Sequence, residues 1–176
     1  KRQIICCYSE KNLDRLALLD LDSGNLEDLD LPYTSIGNLS LSDNRLLTVA
    51  SSPKLFPEII EIALSTKTIR TIQTSTDLEL EESYFSVPET IAFPTAGNAV
   101  SHGFYYPPTN KDFQGLDGEA PPLIVMLHGG PTSATHAVLS FKTQYWTTRG
   151  FGVLDLNYRG STGYGRAYRD ELIYQW

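Results

Sequence analysis

The chain has 176 residues, 41% of them hydrophobic, and a formal net charge of −7. Residues 1–90 carry 8 basic and 15 acidic side chains, whereas residues 91–176 carry 6 of each, so the two halves differ as separate domains do. The acidic half argues against nucleic-acid binding, which needs basic patches. A solvated acidic surface accounts for the excess of acidic residues. No apolar run approaches the roughly 20 residues of a membrane span. No signal peptide is visible, so we expect a cytoplasmic protein without membrane or nucleic-acid partners.

Residues 1–80 contain short strand-like segments separated by turn clusters, which is typical of an all-β domain. A shift of 43 residues aligns their apolar positions without a gap, so that Leu16, for example, meets Ile59. A period of roughly 40–50 residues with four short strands per unit is typical of a β-propeller blade. Two unrelated β-meanders are the alternative. We predict about two C-terminal propeller blades over residues 1–84, with strands at 4–8, 16–21, 46–50, 59–64 and 68–72.

The pattern changes at residue 85, and strands begin to alternate with helices. Two strands flank a short turn and are expected to pair antiparallel, and two later apolar strands are each followed by a loop and a helix. Such an order predicts a parallel sheet wound with helices, with ligands bound at the carboxyl ends of its strands. The predicted strands cover 88–93, 99–106, 123–127 and 151–156, and the predicted helices cover 139–149 and 166–176.

The run His-Gly-Gly-Pro at residues 128–131 directly follows the apolar strand at 123–127. Adjacent glycines let the backbone approach a ligand closely and leave amide N–H groups free to point at it. In serine hydrolases with an α/β sheet, the loop at this position supplies one N–H of the oxyanion hole. A tight turn with glycines chosen for their dihedral angles is the alternative. We assign Gly129 and Gly130 to a candidate oxyanion loop, and we expect His128 to brace that loop through hydrogen bonds of its ring.

The chain contains no recognisable nucleophile. The elbow pattern is Gly-x-Ser-x-Gly, and Ser161 fails it because position 159 is an arginine. The neighbouring glycines do not form Gly-x-Gly-x-x-Gly, and no metal-ligand spacing is found, so neither cofactor nor metal is expected. Arg159 is expected to bind a carboxylate, either a structural partner or a substrate terminus. His102 and His136 are expected to have surface or packing roles.

Two motifs together carry a resemblance to a known family. The loop at 128–131 is followed about 25 residues later by Asn-Tyr-Arg-Gly-Ser-Thr-Gly-Tyr-Gly at 157–165. This pair resembles the prolyl oligopeptidase family of serine peptidases, and within it the branch of acylaminoacyl-peptidases and dipeptidyl-aminopeptidases. The segments at 88–93 and 103–108 look like that family's entry into its hydrolase domain. The family also places a β-propeller before that domain.

The resemblance implies a peptidase that cleaves short peptides with a Ser-Asp-His triad, while the propeller restricts access. Gly130 matches the family's oxyanion-hole amide, and Gly129 shapes the loop. Residues 85–176 would form the N-terminal part of an α/β-hydrolase domain. The family's nucleophile, Asp and His lie beyond residue 176, so the chain is expected to be truncated and inactive alone. An open apolar strand edge would then be completed by missing segments or by a homo-oligomer.

Two other functions remain open at the level of sequence. An esterase of the α/β-hydrolase fold could use a similar Gly-Gly loop, although the blades and the second motif argue against it. A non-catalytic propeller-containing module that binds peptides is supported only by the absent nucleophile.

Overall fold

The computed structural model describes residues 2–130 and 132–174, which form three β-sheets and two short helices. The first sheet has the strand order β1-β2-β3 and the second β4-β5-β6-β7, and all their pairs are antiparallel. The strands of these two sheets are β1 (Gln3–Glu10), β2 (Leu13–Asp20), β3 (Leu26–Leu29), β4 (Ser35–Ser42), β5 (Arg45–Ser51), β6 (Glu58–Ala63) and β7 (Thr68–Thr74).

The third sheet is mixed and has the order β10-β11-β9-β8. Strands β8 and β9 pair antiparallel, and β10 pairs with β11 in parallel, which confirms both pairings expected from the sequence. Strand β9 also pairs antiparallel with β11. The elements are β8 (Glu89–Pro94), β9 (Val100–Tyr106), β10 (Leu123–Leu127), α1 (Phe141–Thr147), β11 (Gly152–Asn157) and α2 (Arg166–Asp170), with single 3₁₀ turns at Glu82–Tyr84 and Ala96–Asn98.

The spacing of 43 residues relates the first sheet to the second. A shift of that length carries β1, β2 and β3 onto β5, β6 and β7. The strands named from the sequence do not include β3 and β4. Strand β3 has only four residues, two of them acidic, and β4 is interrupted by a register shift between Gly37 and Ser40. Asn38 has a φ of +56° in that irregularity, and the alternation that marks a strand is lost there.

Two apolar cores hold the chain together. One core is shared by the first two sheets and contains Leu16 and Leu29 from one, and Leu46 and Ile60 from the other. The second core lies between the third sheet and its covering segments, around Phe104, Tyr106, Ala137 and Val153. Leu13 of β2 packs against this second core, so the first sheet contributes to both.

Both helices are shorter than the sequence predicted. Helix α1 begins only after Ser140, whose side chain accepts a hydrogen bond from Thr143 N at 3.5 Å. It ends at Thr147 rather than 149 because Gly150, with a φ of +86°, follows within three residues. Helix α2 ends at Asp170, and the last two residues of the predicted helix, 175 and 176, lie outside the described residues. Within the described ranges, no helix is long and apolar enough to cross a bilayer.

Strand β10 is an edge of the third sheet. Its outward side chains Leu123, Val125 and Leu127 are 54%, 52% and 64% exposed, whereas Ile124 and Met126 pack onto the core. The sequence analysis expected an open apolar strand edge. In the described part of the chain it has one covered face, and no strand pairs with its outer edge.

A side-chain amide fixes the segment between the second and third sheets to α1. Gln144 is buried, and its Oε1 accepts from Ser86 N at 2.8 Å while its Nε2 donates to Ser86 O at 3.0 Å. Ser86 is fully buried, and its hydroxyl donates to Pro107 O at 2.5 Å. Because Ser86 is buried, its backbone N–H and C=O cannot bind water. The side-chain amide of Gln144 supplies the hydrogen bonds that a neighbouring strand would otherwise supply.

We expect Gln144→Met to lower the free energy of unfolding by about 2–3 kcal/mol, since it leaves the buried N–H and C=O of Ser86 unpaired at nearly constant volume. Urea denaturation measures the change. The exposed Gln114 provides the matched control, and Gln114→Met should alter stability by less than about 0.5 kcal/mol. Equal midpoints for the two variants would contradict the structural role of the amide.

Candidate active site

The two glycine-containing loops meet because β10 and β11 run parallel. Residues 128–130, the His-Gly-Gly loop, follow β10, and residues 158–165, the Gly-rich loop, follow β11 at the same edge of the sheet. The ring of Tyr158 stacks on His128 with centroids 4.4 Å apart. The Tyr158 hydroxyl lies 3.1 Å from His128 O and 3.4 Å from Gly130 O. One phenol therefore holds the carbonyls on both sides of the Gly129–Gly130 peptide.

His128 makes a further contact with the Gly-rich loop. Its Nε2 lies 2.8 Å from the hydroxyl oxygen of Ser161, and that hydroxyl lies 2.6 Å from Tyr158 O. Carbonyl oxygens can only accept, and His128 Nδ1 lies 3.2 Å from Gly129 O. A proton on Nδ1 leaves Nε2 to accept from the Ser161 hydroxyl, whereas a proton on Nε2 directs that hydroxyl to Tyr158 O. Ser161 is fully buried, and this burial separates its hydroxyl from a substrate.

The two glycines present their amides to solvent. Gly129 and Gly130 are exposed, and Gly130 has a φ of +67°, a conformation that favours glycine. Neither amide N–H donates a hydrogen bond to the described part of the chain. A Cβ at either position would meet nothing within 4 Å. The fourth residue of the predicted oxyanion loop, Pro131, lies outside the described residues.

Asn157, at the end of β11, connects the segments around this site. It is fully buried; its Oδ1 accepts from Thr135 N at 2.8 Å, and its Nδ2 donates to Thr135 O at 3.2 Å. The same Nδ2 lies 3.3 Å from the Tyr164 hydroxyl, and Asn157 O accepts from the Tyr168 hydroxyl at 2.6 Å. The segment after β10, the Gly-rich loop and α2 all converge on one residue.

Asp155 lies two residues before Asn157 in β11. Its carboxylate accepts a hydrogen bond from the Thr135 hydroxyl. Burial raises the pKa of the Asp155 carboxyl above its usual 3.8, and the Thr135 hydrogen bond opposes that effect. Sequence analysis identified neither Asp155 nor Asn157 as part of the site. Their place in the last residues of an apolar strand, directly before a candidate loop, is the signal that would have pointed to them.

The remaining residues named from the sequence lie around this cluster. His102 of β9 stacks on Tyr164 with centroids 4.3 Å apart, and burial together with nearby Lys11 lowers its pKa. His136 lies in the segment before α1, and its Nδ1 has no hydrogen-bond partner in the described structure. Arg159 is exposed and has no ion-pair partner among residues 2–130 and 132–174. Over the same residues, no group of three or more His, Cys, Asp or Glu side chains could hold a metal ion.

Comparison with known proteins agrees with the resemblance in the two motifs. Residues 137–176 match the model of the prolyl oligopeptidase family. The structure of a Mycobacterium tuberculosis puromycin-hydrolyzing peptidase superposes on 99% of this chain with a TM-score of 0.91 and 31% sequence identity. The whole chain is therefore similar in fold to a solved peptidase, and residues 137–176 match the prolyl oligopeptidase family. A structure of puromycin hydrolase covers 92% of the chain with a TM-score of 0.83 and 40% identity. The uncharacterized peptidase YuxL of Bacillus subtilis is 26% identical over 80% of it.

The chain spans only part of the length of its relatives. It covers 27% of the Mycobacterium structure, 25% of the puromycin hydrolase structure and 20% of YuxL. Its strand-rich architecture matches that of prolyl oligopeptidase-family structures, which confirms the propeller-type fold expected for the first two sheets. The domain boundary at residue 85 and the assignment of the third sheet to a hydrolase domain stay predictions.

We expect Asn157→Asp to lower the free energy of unfolding by about 2–4 kcal/mol at neutral pH, because a buried carboxylate would face Thr135 O instead of donating to it. Urea denaturation of the full-length gene product measures this change. Asn25 is exposed, and Asn25→Asp serves as the matched control with little effect. If both variants unfold at the wild-type urea concentration, Asn157 does not connect the loops.

The raised pKa of Asp155 predicts a pH dependence of stability. The folded state binds the proton more tightly than the unfolded state, so Asp155 adds stability at low pH and this contribution is lost as pH rises above 3.8 through the folded pKa. We therefore expect Asp155→Asn to be more stable relative to wild type at pH 7 than at pH 4. Thermal unfolding of both proteins across this range measures the difference. A difference that stays constant with pH would contradict the pKa shift.

Proposed function

We propose that the protein is a serine peptidase that hydrolyses short peptides, with the Gly130 N–H as one donor of its oxyanion hole. The observation that carries this proposal is the pair of exposed glycine amides at the carboxyl end of β10, held in place by Tyr158 and free of hydrogen bonds to the described residues. The family match of residues 137–176 supports peptidase chemistry, because the matched relatives are named as peptidases.

In the proposed mechanism, a serine attacks the substrate carbonyl while a histidine accepts its proton. The carbonyl oxygen becomes an oxyanion, and the Gly130 N–H donates to it without reorganising. One such preorganised donor lowers the barrier by about 3–4 kcal/mol. The serine, the histidine and its aspartate are proposed to come from sequence outside residues 1–176. Ser161 is unsuited to the nucleophile's role because it is fully buried and cannot reach a substrate carbonyl.

His128 and Tyr158 are proposed to position the loop rather than to react. The ring of His128 is fixed between the Tyr158 ring and the Ser161 hydroxyl, so it has little freedom to exchange protons with a substrate. Gly129 separates the two anchored carbonyls and lets the chain turn without side-chain bulk. In this proposal, backbone N–H groups stabilise the charge of the transition state, and the side chains of His128 and Tyr158 hold those groups in position.

The names of the relatives suggest a substrate class for the assay. Two matched structures are described as acting on puromycin, which is an aminoacyl amide. We propose that this protein accepts aminoacyl amides and short peptides, with the propeller sheets restricting access to longer chains. The outer edge of β10 is proposed to accept a further strand, from a longer polypeptide or from a second copy. The cytoplasmic location expected from the sequence stays a prediction.

The proposed function is tested by fluorophosphonate labelling of the full-length gene product and of the chain 1–176. We expect label on the full-length protein alone, together with hydrolysis of short peptide amides. Label on residues 1–176 would mean that a serine of this chain is activated, which would contradict the role given to Ser161. If neither protein is labelled, a peptide-binding module becomes the better description. Turnover of an ester but not of the matching amide would indicate an esterase.

Gly130→Ala tests the oxyanion donor itself. An L residue avoids a φ of +67°, so the loop must rearrange and move the Gly130 N–H, and we expect kcat for a peptide amide to fall about 100-fold. Gly24 has a φ of +72° with equally open space at its Cβ, so Gly24→Ala introduces the same kind of strain far from the loop. We expect Gly24→Ala to retain wild-type kcat. Equal kcat losses in the two variants would mean that strain alone is responsible.

A further inference from the structure

Asn12 is buried although it lies at the tip of a β-hairpin. It forms the two-residue turn between β1 and β2 together with Lys11, and both have left-handed φ values, +57° and +54°. Lys11 is exposed, as a turn residue normally is, whereas Asn12 is only 2% exposed. Left-handed geometry accounts for an asparagine at this position, but it does not account for burial of the side chain.

The Asn12 side chain is buried because it inserts into the Gly-rich loop, 150 residues away in sequence. Its Nδ2 donates to Thr162 O at 2.9 Å. The space that it occupies exists only because residue 163 is a glycine: a Cβ there would lie 1.9 Å from Asn12 Oδ1. The hairpin tip and Gly163 are therefore complementary in shape as well as in hydrogen bonding.

The contact continues through two backbone hydrogen bonds to the candidate oxyanion loop. Thr162, whose carbonyl is held by Asn12, donates through its N–H to Ser133 O at 3.1 Å. The Ser133 N–H in turn donates to Gly130 O at 3.3 Å. Gly130 O is one of the two carbonyls that the Tyr158 hydroxyl also holds. A continuous set of hydrogen bonds thus runs from the first sheet to the Gly130 backbone.

Other contacts between these parts of the chain support the same placement. The Thr34 hydroxyl, from the segment between the first two sheets, donates to Ala137 O at 2.5 Å. Leu139 N donates to Ser52 O at 2.9 Å. Both contacts lie on the segment that follows the His-Gly-Gly loop. That segment is therefore fixed by the connection between the two propeller-type sheets and by a turn of the second sheet. Asn12 is the point at which a turn of the first sheet reaches the Gly-rich loop.

We propose that Asn12 is a positioning residue that couples the first propeller-type sheet to the oxyanion donor. The proposal rests on the proposed function of Gly130. With Asn12 in place, Thr162 and Ser133 hold the Gly130 carbonyl, and the Gly130 N–H is directed at the substrate. Withdrawal of the hairpin releases Thr162 and loosens the donor. The role concerns the transition state, so its loss should lower kcat and leave KM nearly unchanged.

Asn12→Asp tests the coupling in the full-length protein, because it keeps the shape of the side chain and replaces the donor to Thr162 O with a carboxylate oxygen. We expect kcat for a peptide amide, expressed per site titrated with fluorophosphonate, to fall about tenfold, with KM within about twofold of wild type. Asn38 is the matched control, since it has a φ of +56° and is exposed on β4. Asn38→Asp should retain wild-type kcat and KM.

A double-mutant cycle tests the complementarity with Gly163. Gly163→Ala places a methyl group on Asn12, and we expect it alone to lower kcat about tenfold. Asn12→Gly preserves the turn and opens that space. Because Gly163 has a φ of +86°, Gly163→Ala strains the loop in either background, and the proposed contact predicts that its loss of kcat is several-fold smaller without the Asn12 side chain than with it. Losses that simply multiply would overturn the proposed contact.

The outcomes separate this proposal from the proposed function. An active wild type whose Asn12→Asp variant has unchanged kcat per titrated site, or a change in KM alone, overturns the positioning role and leaves the peptidase assignment intact. A lower fraction of titrated sites with normal kcat per site means that Asn12 serves folding only, and this also overturns the role. A wild-type protein that is neither labelled nor active overturns the proposed function and this inference together.

Discussion

The buried amide of Asn157 is the constraint on which the arrangement of the candidate site depends. A side chain at the carboxyl end of β11 has no water to bind, so both ends of its amide must find partners in the protein. Thr135 supplies a partner to each end of the amide, and the Tyr164 hydroxyl is a second neighbour of Nδ2. Tyr168 donates to the backbone carbonyl of the same residue. The segment after β10 and the Gly-rich loop are thereby held at fixed positions relative to each other. Tyr158 comes directly after Asn157, so the same constraint places the Tyr158 hydroxyl against the His-Gly-Gly loop.

Around Asn157, the side chains of His128 and Ser161 have hydrogen-bond partners within the protein, whereas the N–H groups of Gly129 and Gly130 have none in the described residues. His128 and Ser161 lie within hydrogen-bond distance, which at first sight resembles a catalytic pair. Burial excludes that reading, because the fully buried Ser161 hydroxyl cannot reach a substrate carbonyl. The exposed N–H groups of Gly129 and Gly130 are the part that remains available to a substrate. In the proposed function, these groups stabilise the charge of the transition state, and the nucleophile comes from another segment.

The two propeller-type sheets contact the loops of this site directly. Their turns contact the segment after β10 and the Gly-rich loop, through Thr34, Ser52 and Asn12. Leu13 extends the same association into the apolar core of the third sheet. The geometry of an oxyanion donor tolerates errors of only a few tenths of an ångström, so a sheet that fixes the loops can affect the rate without touching the substrate.

The sequence by itself determined the features that depend on local chemistry. Apolar runs followed by glycines predicted β10, β11 and the two loops at one edge of a parallel pair, and the 43-residue spacing predicted related strands in the first half. Only the tertiary structure decided the long-range features: β4, whose alternation is broken at Asn38, the contact of His128 with Ser161, and the burial of Asn12 against Gly163. Periodicity and turn preferences report on neighbours within a few residues. A hydrogen bond between residues 150 positions apart depends on how the sheets pack, and nothing in the local pattern at Asn12 distinguishes it from an exposed turn residue.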